Sequence, residues 1–295
     1  MSERVTLAVD GGPASRAATA WVSERARSSA LSVEVTAAIG IDTELPFGAD
    51  RDYRNHFEDA VYTARQTLID DIPDLDVSTR LRRGLPFAAL AAASRDADLL
   101  VIGTNKTSPI VGILHGTLPL KLAGHVTCPV VVVSASWSRK SGPVVVGWTD
   151  DATADMALNL AADEADRLSS PLVIVHSWSV PHPSDLNADR TKVIRELRKA
   201  SRREVLLHAA ARTRVVHPTL HIKEELVEGS AAVAVVRAAR EASLVVVGSR
   251  GRGAITGMFL GSVSHDVLLN MPAPVVVVPS PETVRIVAAG AGAPV

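Results

Sequence analysis

Apolar residues in this chain arrive in short unbroken runs: VVVV at 130–133 and again at 275–278, LVVV at 244–247, LVIV at 172–175 and VVV at 144–146. Consecutive β-branched residues bounded by Gly and Pro read as strands covered on both faces, because a strand with one wet face alternates apolar and polar positions. Between the runs lie longer segments whose apolar positions recur every three to four residues, the period of a helix with one buried stripe. In the second half the pattern predicts strands at 144–146, 172–175, 219–227, 244–247 and 275–278, separated by four crossovers. Strand and helix in strict alternation give βαβ units, which align strands in parallel and place helices on both faces of the sheet. The predicted fold class is α/β, a doubly wound parallel sheet flanked by helices.

The pattern also repeats. Residues 84–133 lie without a gap over residues 229–278, with about a third of positions identical, and VTLAVDGGPASRAATA at 5–20 matches VVVGWTDDATADMALN at 144–159 in pattern. Two tandem domains are therefore expected, each a five-stranded parallel sheet, over 1–140 and 141–282. SASWSRKSGP at 134–143 is polar, ends in Gly-Pro and reads as the linker, with the boundary near Ser141. The stretch 283–295, ending AAGAGAPV, has little to bury and is expected to be a mobile tail.

Composition narrows the function classes. A length of 295 residues with 47% hydrophobic and 21% charged residues suffices for two ordinary cores. The net charge of -1 supplies no global pull toward nucleic acid or an anionic membrane, so neither is expected as a partner. The basic segment 189–213 has helical period and reads as a solvated amphipathic face rather than a nucleic-acid helix. One cysteine, Cys128, builds neither a disulfide framework nor a zinc site, and in its apolar context it reads as a small core residue. The N-terminus lacks the order of a signal peptide and no apolar run reaches about 18 residues, so the expected location is the cytoplasm. No metal site is expected, since His217 and His221 are separated by Pro218 in a strand-like context.

The chemistry concentrates in LVVVGSRGRGAITGMFLGSVSHDV, residues 244–267, where an apolar strand runs into glycines and then into a helix start. Ligands of open α/β sheets sit beyond the carboxyl ends of the strands, and Gly248 and Gly251 at such an end would let a ligand approach the main chain. Gly261, Ser262, Val263 and Ser264 open a helix whose free N–H groups and positive dipole end favour a phosphate, with two hydroxyls as further donors. Arg250 and Arg252 flank this loop as candidate phosphate partners, and His265 carries no expected catalytic role.

Gly248, two residues, Gly251, nine residues, Gly261-Ser262 resembles the ATP-binding signature of the universal stress protein family, as do the strand VVVG, the phrase GSVS and the closing APVVVVP. The resemblance covers nearly the whole chain. It implies two tandem domains of the adenine nucleotide alpha hydrolase-like fold and ATP as the ligand, alone or with Mg²⁺. It places Gly248 near the ribose and Gly251, Gly261, Ser262, Val263 and Ser264 around the phosphates. Thr149 stands where ATP-binding members carry an aspartate at the end of the first strand. The first half has Asp10 there and keeps Gly103, Gly116 and Thr117, but Lys106 replaces the second glycine and Pro119 replaces the serine matching Ser264. Its glycine motif is therefore degenerate, and binding is expected mainly in the second half.

No G-x-x-x-x-G-K-[ST] loop occurs, nor glycines at the Rossmann spacing after a domain's first strand. No carboxylate set is evident for holding Mg²⁺ and activating an attacking group. The expected function is a stress-response regulator that binds an adenine nucleotide without efficient turnover and has no catalytic residues. The alternatives are a structural adaptor with two decayed pockets and a slow ATPase or nucleotidyl-transfer enzyme. The closing strands of each half, apolar and terminal, are expected to pair the halves about a pseudo-twofold axis and to favour a homodimer.

Overall fold

The computed structural model describes residues 2–40, 49–105, 117–180, 188–250 and 260–290. The first half runs β1 (Glu3–Ala8), α1 (Pro13–Ala26), β2 (Leu31–Ile39), α2 (Ala49–Asp71), β3 (Asp76–Arg83), α3 (Pro86–Ala93), β4 (Leu99–Thr104), α4 (Thr117–His125) and β5 (Val130–Ser134). The second half repeats the order as β6 (Val144–Gly147), α5 (Ala152–Arg167), β7 (Leu172–Trp178), α6 (Ala188–Val216), β8 (Ile222–Glu228), α7 (Ala231–Ala238), β9 (Leu244–Gly248), α8 (Ser262–Leu269) and β10 (Val275–Val278). A last helix, α9 (Pro281–Gly290), follows.

All five strands expected in the second half form, with one shifted start. The run at 219–227 begins only at Ile222, because a turn closed by the Leu220 N–H on the His217 carbonyl (3.2 Å) follows α6 first. Where the sequence suggested a tail from 283, a helix stands as far as Gly290. The Ser280 hydroxyl accepts from the Thr283 N–H (3.2 Å), an N-cap followed directly by proline. Residues 291–295 lie outside the described residues.

The ten strands form one sheet in the order β3-β2-β1-β4-β5-β10-β9-β6-β7-β8. Neighbours are parallel within each half. At the seam, β5 and β10 pair antiparallel with Val131 opposite Val276. Joining equivalent strands head to tail relates the halves by a pseudo-twofold axis through the seam. The terminal strands of the two halves are therefore each other's partners and not free edges.

The valine runs fill the centre. Val130 to Val133, Val144 to Val146 and Val275 to Val278 are all buried, each removing apolar surface worth about 1.5–3 kcal/mol from water. Helices α1, α2, α5 and α6 cover one face through residues such as Trp21, Leu68, Leu158 and Leu206. Helices α3, α4, α7 and α8 cover the other through Leu90, Leu122, Val235 and Val267. The linker is packed rather than free: Trp137 lies against the core, Lys140 donates to the Arg240 carbonyl (3.2 Å), and a Cβ on Gly142 would fall 1.8 Å from the Glu241 carbonyl oxygen. Among the described residues no helix is long and apolar enough to cross a membrane.

Across the seam, α1 of the first half meets α5 of the second through a buried ion network. Arg25 donates to both Glu164 oxygens (2.8 and 2.7 Å) and to both Glu3 oxygens (2.9 Å each), while Arg167 donates to Glu164 (2.6 Å) and to the Ser28 hydroxyl (2.6 Å). The Arg25 and Glu164 side chains are each only 6% exposed. Burial alone would lower the Arg25 pKa, but hydrogen bonds to and attraction from Glu164 and Glu3 outweigh it and raise it. Burial likewise acts to raise Glu164, yet Arg25 and Arg167 hold its carboxyl below the ordinary glutamate value.

Candidate functional site

In the strand order above, chain direction diverges between β1 and β4 in the first half and between β6 and β9 in the second. The crevice beyond the carboxyl ends at such a switch point is where open α/β sheets receive ligands. In the first half a cavity of about 280 Å³ opens there, walled by Asp10, Thr36, Gly103, Thr104, Asn105 and Pro119 among others. Asp10 accepts from the Gly12 N–H (2.8 Å) through one carboxylate oxygen, and its carbonyl meets the His56 ring nitrogen (2.9 Å). Gly11, between them, takes φ +79°, a left-handed turn that only glycine adopts without strain. The turn folds the end of β1 back into α1 and sets the Asp10 carboxylate on the cavity wall.

Two walls of this cavity were not foreseen from sequence. Tyr53 and Phe57 reach it from α2, four residues apart on one helix face, and His56 stands beside them. Their helical spacing was readable, but nothing local tells that α2 leans over the end of β1.

The second half builds its switch point differently. Gly261 is the N-cap of α8 in extended geometry (φ −71°, ψ 156°), and its N–H donates to the Ser249 carbonyl (2.7 Å). Ser262, Val263 and Ser264 form the first turn, whose N–H groups have no partner inside the helix. Ser262 is exposed and Val263 half-buried against the core. Thr149 is half-buried just past β6, its carbonyl accepting from the Asp151 N–H (2.8 Å), and Asp151 caps α5 through the Ala154 N–H (2.9 Å).

Several of the expected site residues have work of their own within the fold. Ser264 was expected to turn its hydroxyl to a phosphate; it is buried and donates to the Gly248 (2.9 Å) and Ser249 (3.3 Å) carbonyls, tying the end of β9 to α8. Its hydroxyl proton is thus used inside the fold, leaving only its N–H facing the helix end. Gly248 is expected to let a ligand approach the main chain, and Gly103 keeps the equivalent place in the first half. A Cβ on Gly248 would meet Thr153 Cγ2 at 2.7 Å, and one on Gly103 would meet the Ala14 carbonyl oxygen at 2.2 Å, so both glycines admit the start of the following helix. Arg250, a candidate phosphate partner, instead pairs with Glu282 of α9 (3.0 Å). Gly251, Arg252, Lys106 and Gly116 lie outside the described residues. Thr117 begins α4.

Pro119 takes the third position of α4, where α8 has Ser264, and is buried on the cavity wall. It removes one N–H from the first turn of α4. Cys128 is buried, and desolvation pushes its thiol up to about 12. A thiol so poor in thiolate is expected to react with a water-soluble disulfide reagent only as fast as the chain unfolds. Stoichiometric labelling of native protein within seconds at pH 8 would contradict this.

The description "Universal stress protein family" belongs to a family model that matches residues 1–134 and again 141–279. Universal stress protein Rv2623 of Mycobacterium tuberculosis is 29% identical over 297 residues, covering 92% of this chain and 95% of that protein. Universal stress protein Rv2005c of the same organism is 28% identical over 287 residues, covering 92% and 96%. Among solved structures, a universal stress protein from Archaeoglobus fulgidus superposes with a TM-score of 0.68 at 18% identity, over 95% of this chain and 99% of that one.

Proposed function

Because the chain belongs to the universal stress protein family, we propose that it is a stress-response regulator which binds an adenine nucleotide, ATP above all, chiefly in its second half and without efficient turnover. The observation that carries the reading is the cavity at the β1–β4 switch point, with an aspartate on its wall, taken together with the equivalent β6–β9 point, where the first three N–H groups of a glycine-capped helix have no partner among the described residues. An aspartate beside a small cavity suits a nucleoside hydroxyl; a helix N-terminus suits a polyphosphate. The second half ranks first because Ser262, Val263 and Ser264 all keep their N–H groups, whereas Pro119 removes one in the first half. The fit asks the nucleotide to supply its own charge compensation or to bring Mg²⁺ with it. The chain's own part is to bind and orient.

A second reading, a nucleotide-free adaptor, draws on one observation: Gly103 and Gly248 are both explained by helix packing alone. Acid extraction of gently purified protein followed by chromatography separates the two readings. The expected result is about half a mole to one mole of adenine nucleotide per mole of chain, and single-turnover assays should then give hydrolysis far below the usual enzyme median of about 10 per second. An empty protein that also fails to bind added ATP would favour the adaptor, and rapid turnover would favour an enzyme.

A further inference from the structure

Helix α9 lies wholly beyond residue 279, where the second family match ends, so it is an addition to the matched core. Its start is tied to the second-half switch point through one residue. Ser249, fully buried, accepts from the Ser280 N–H through its hydroxyl (2.9 Å) and from the Gly261 N–H through its carbonyl (2.7 Å). The next residue, Arg250, reaches across to α9 and donates through Nη1 to Glu282 (3.0 Å). Arg250 stands beside the α8 cap itself, since a Cβ on Gly261 would lie 3.5 Å from the Arg250 Cα. The two partners are held unequally. The Arg250 side chain is 14% exposed and its Nε is buried with no partner among the described residues, whereas Glu282 is 73% exposed.

Arg250 is thus open to two rival anions, the Glu282 carboxylate and any phosphate drawn to the N–H groups of Ser262, Val263 and Ser264. We propose that Glu282 is a latch on this site: it holds Arg250 while no nucleotide is bound, and the phosphates of an incoming adenine nucleotide take the guanidinium from it and release the start of α9. The inference rests on the nucleotide reading of that site. Exchange in this direction is favoured on both sides. A phosphate brings more negative charge, oxygens that match the guanidinium fork, and the acceptor that the buried Nε lacks. Glu282 gives up little, because a carboxylate so exposed gains weakly from its pair and is hydrated again on leaving. Helix α9 is lightly held as well: of its described side chains only Thr283 is buried. A plain first-turn acid would serve the dipole of α9 without reaching Arg250. The release also crosses the seam, for α9 packs on α4, whose first turn brings Leu118 and Pro119 to the wall of the Asp10 cavity.

The test measures ATP affinity by calorimetry and hydrogen exchange of the segment 281–290 by mass spectrometry on three full-length chains: the parent, Glu282→Gln, and the exchanged pair Arg250→Glu with Glu282→Arg. Saturating ATP is expected to speed α9 exchange in the parent about three- to fivefold, the scale of an exposed ion pair. Glu282→Gln should bind ATP more tightly by a similar factor, because the coupling is reciprocal, and its α9 should exchange fast before ATP is added. In the exchanged pair α9 should be as slow as in the parent, and ATP should leave it so. A parent that binds ATP with no change in α9 exchange would overturn the latch and leave the nucleotide reading standing, as would a Glu282→Gln chain that binds ATP no more tightly. Tighter binding by Glu282→Gln with α9 still at the slow exchange of the nucleotide-free parent would reduce Glu282 to a nearby charge and overturn the latch too. Absence of ATP binding in the parent and in Glu282→Gln alike would remove the nucleotide reading and the latch with it.

Discussion

Arg25→Ala is expected to destabilise the chain by about 3–5 kcal/mol, the range for removing one partner of a buried ion pair and leaving the other charge in a dry site. The orphan would be Glu164, buried at the seam and left with Arg167 alone, while Glu3 loses both of its hydrogen bonds. Trp21, with the Arg25 guanidinium 5.6 Å above its ring, gives a local fluorescence probe for urea unfolding. Replacing the pair together, Arg25→Leu with Glu164→Leu, should recover most of the loss, since two apolar side chains of similar volume need no desolvated partner. A single-variant loss below about 1 kcal/mol would show the network to be incidental. The pH dependence follows from the direction of the Glu164 shift. Its folded carboxyl lies below the ordinary glutamate value, so its contribution is complete above about pH 4.5 and fades as pH falls through the lower folded value. Arg25, raised further above its usual range, stays charged throughout and adds nothing to that slope. The acid limb of the parent's stability curve should therefore flatten in the double leucine variant.

Gly261→Val is expected to lower nucleotide affinity by at least about a hundredfold, roughly 2.7 kcal/mol, with Gly116→Val in the first half as the quiet counterpart. The backbone of Gly261 already lies in a region valine favours, and a Cβ there meets the Ser249 carbonyl oxygen at 3.4 Å and Arg250 Cα at 3.5 Å, ordinary contacts. The fold should accept the change. What a branched side chain obstructs is the approach of an anion to the N–H groups of Ser262, Val263 and Ser264, which act together. Gly248→Val is a poor substitute as a probe, because its Cβ strikes Thr153 and any loss of binding would mix with loss of packing. Calorimetry on both variants reads the ranking directly, and a parent stoichiometry near two, or a greater loss from Gly116→Val, would reverse it.

The strands and their order of succession were legible in the sequence because burial on both faces writes itself as unbroken valine runs. So was the doubling, because both halves solve the same packing problem with similar residues. That the apolar end strands pair the two halves was legible too; what the sequence left open is the register, which sets Val131 opposite Val276. Ser264 was misread for a physical reason. A hydroxyl in a helix's first turn has two good uses, an outside anion or the carbonyl of the strand beneath, and spacing alone does not separate them. Gly103 and Gly248 carry the same ambiguity, since one missing Cβ serves a ligand or a neighbouring helix. The α9 start, by contrast, was written plainly as Ser280-Pro281-Glu282, an N-cap, a first-turn proline and a first-turn acid; the alanine and glycine that follow hid it.

The seam between β5 and β10 also sets a problem of timing. Its two strands are separated by about 145 residues of chain, and at roughly 5–20 residues per second a ribosome needs about 7–30 s to make the second after the first. Through that interval the first half stands complete with four consecutive valines along a strand paired on one side only, its outer edge open. A newborn chain is thus at its stickiest midway through its own synthesis, and neighbouring ribosomes on one message would hold several such edges close together. Translation speed across the second half, more than the stability of the finished protein, then decides how many chains close on themselves and how many pair with the wrong neighbour.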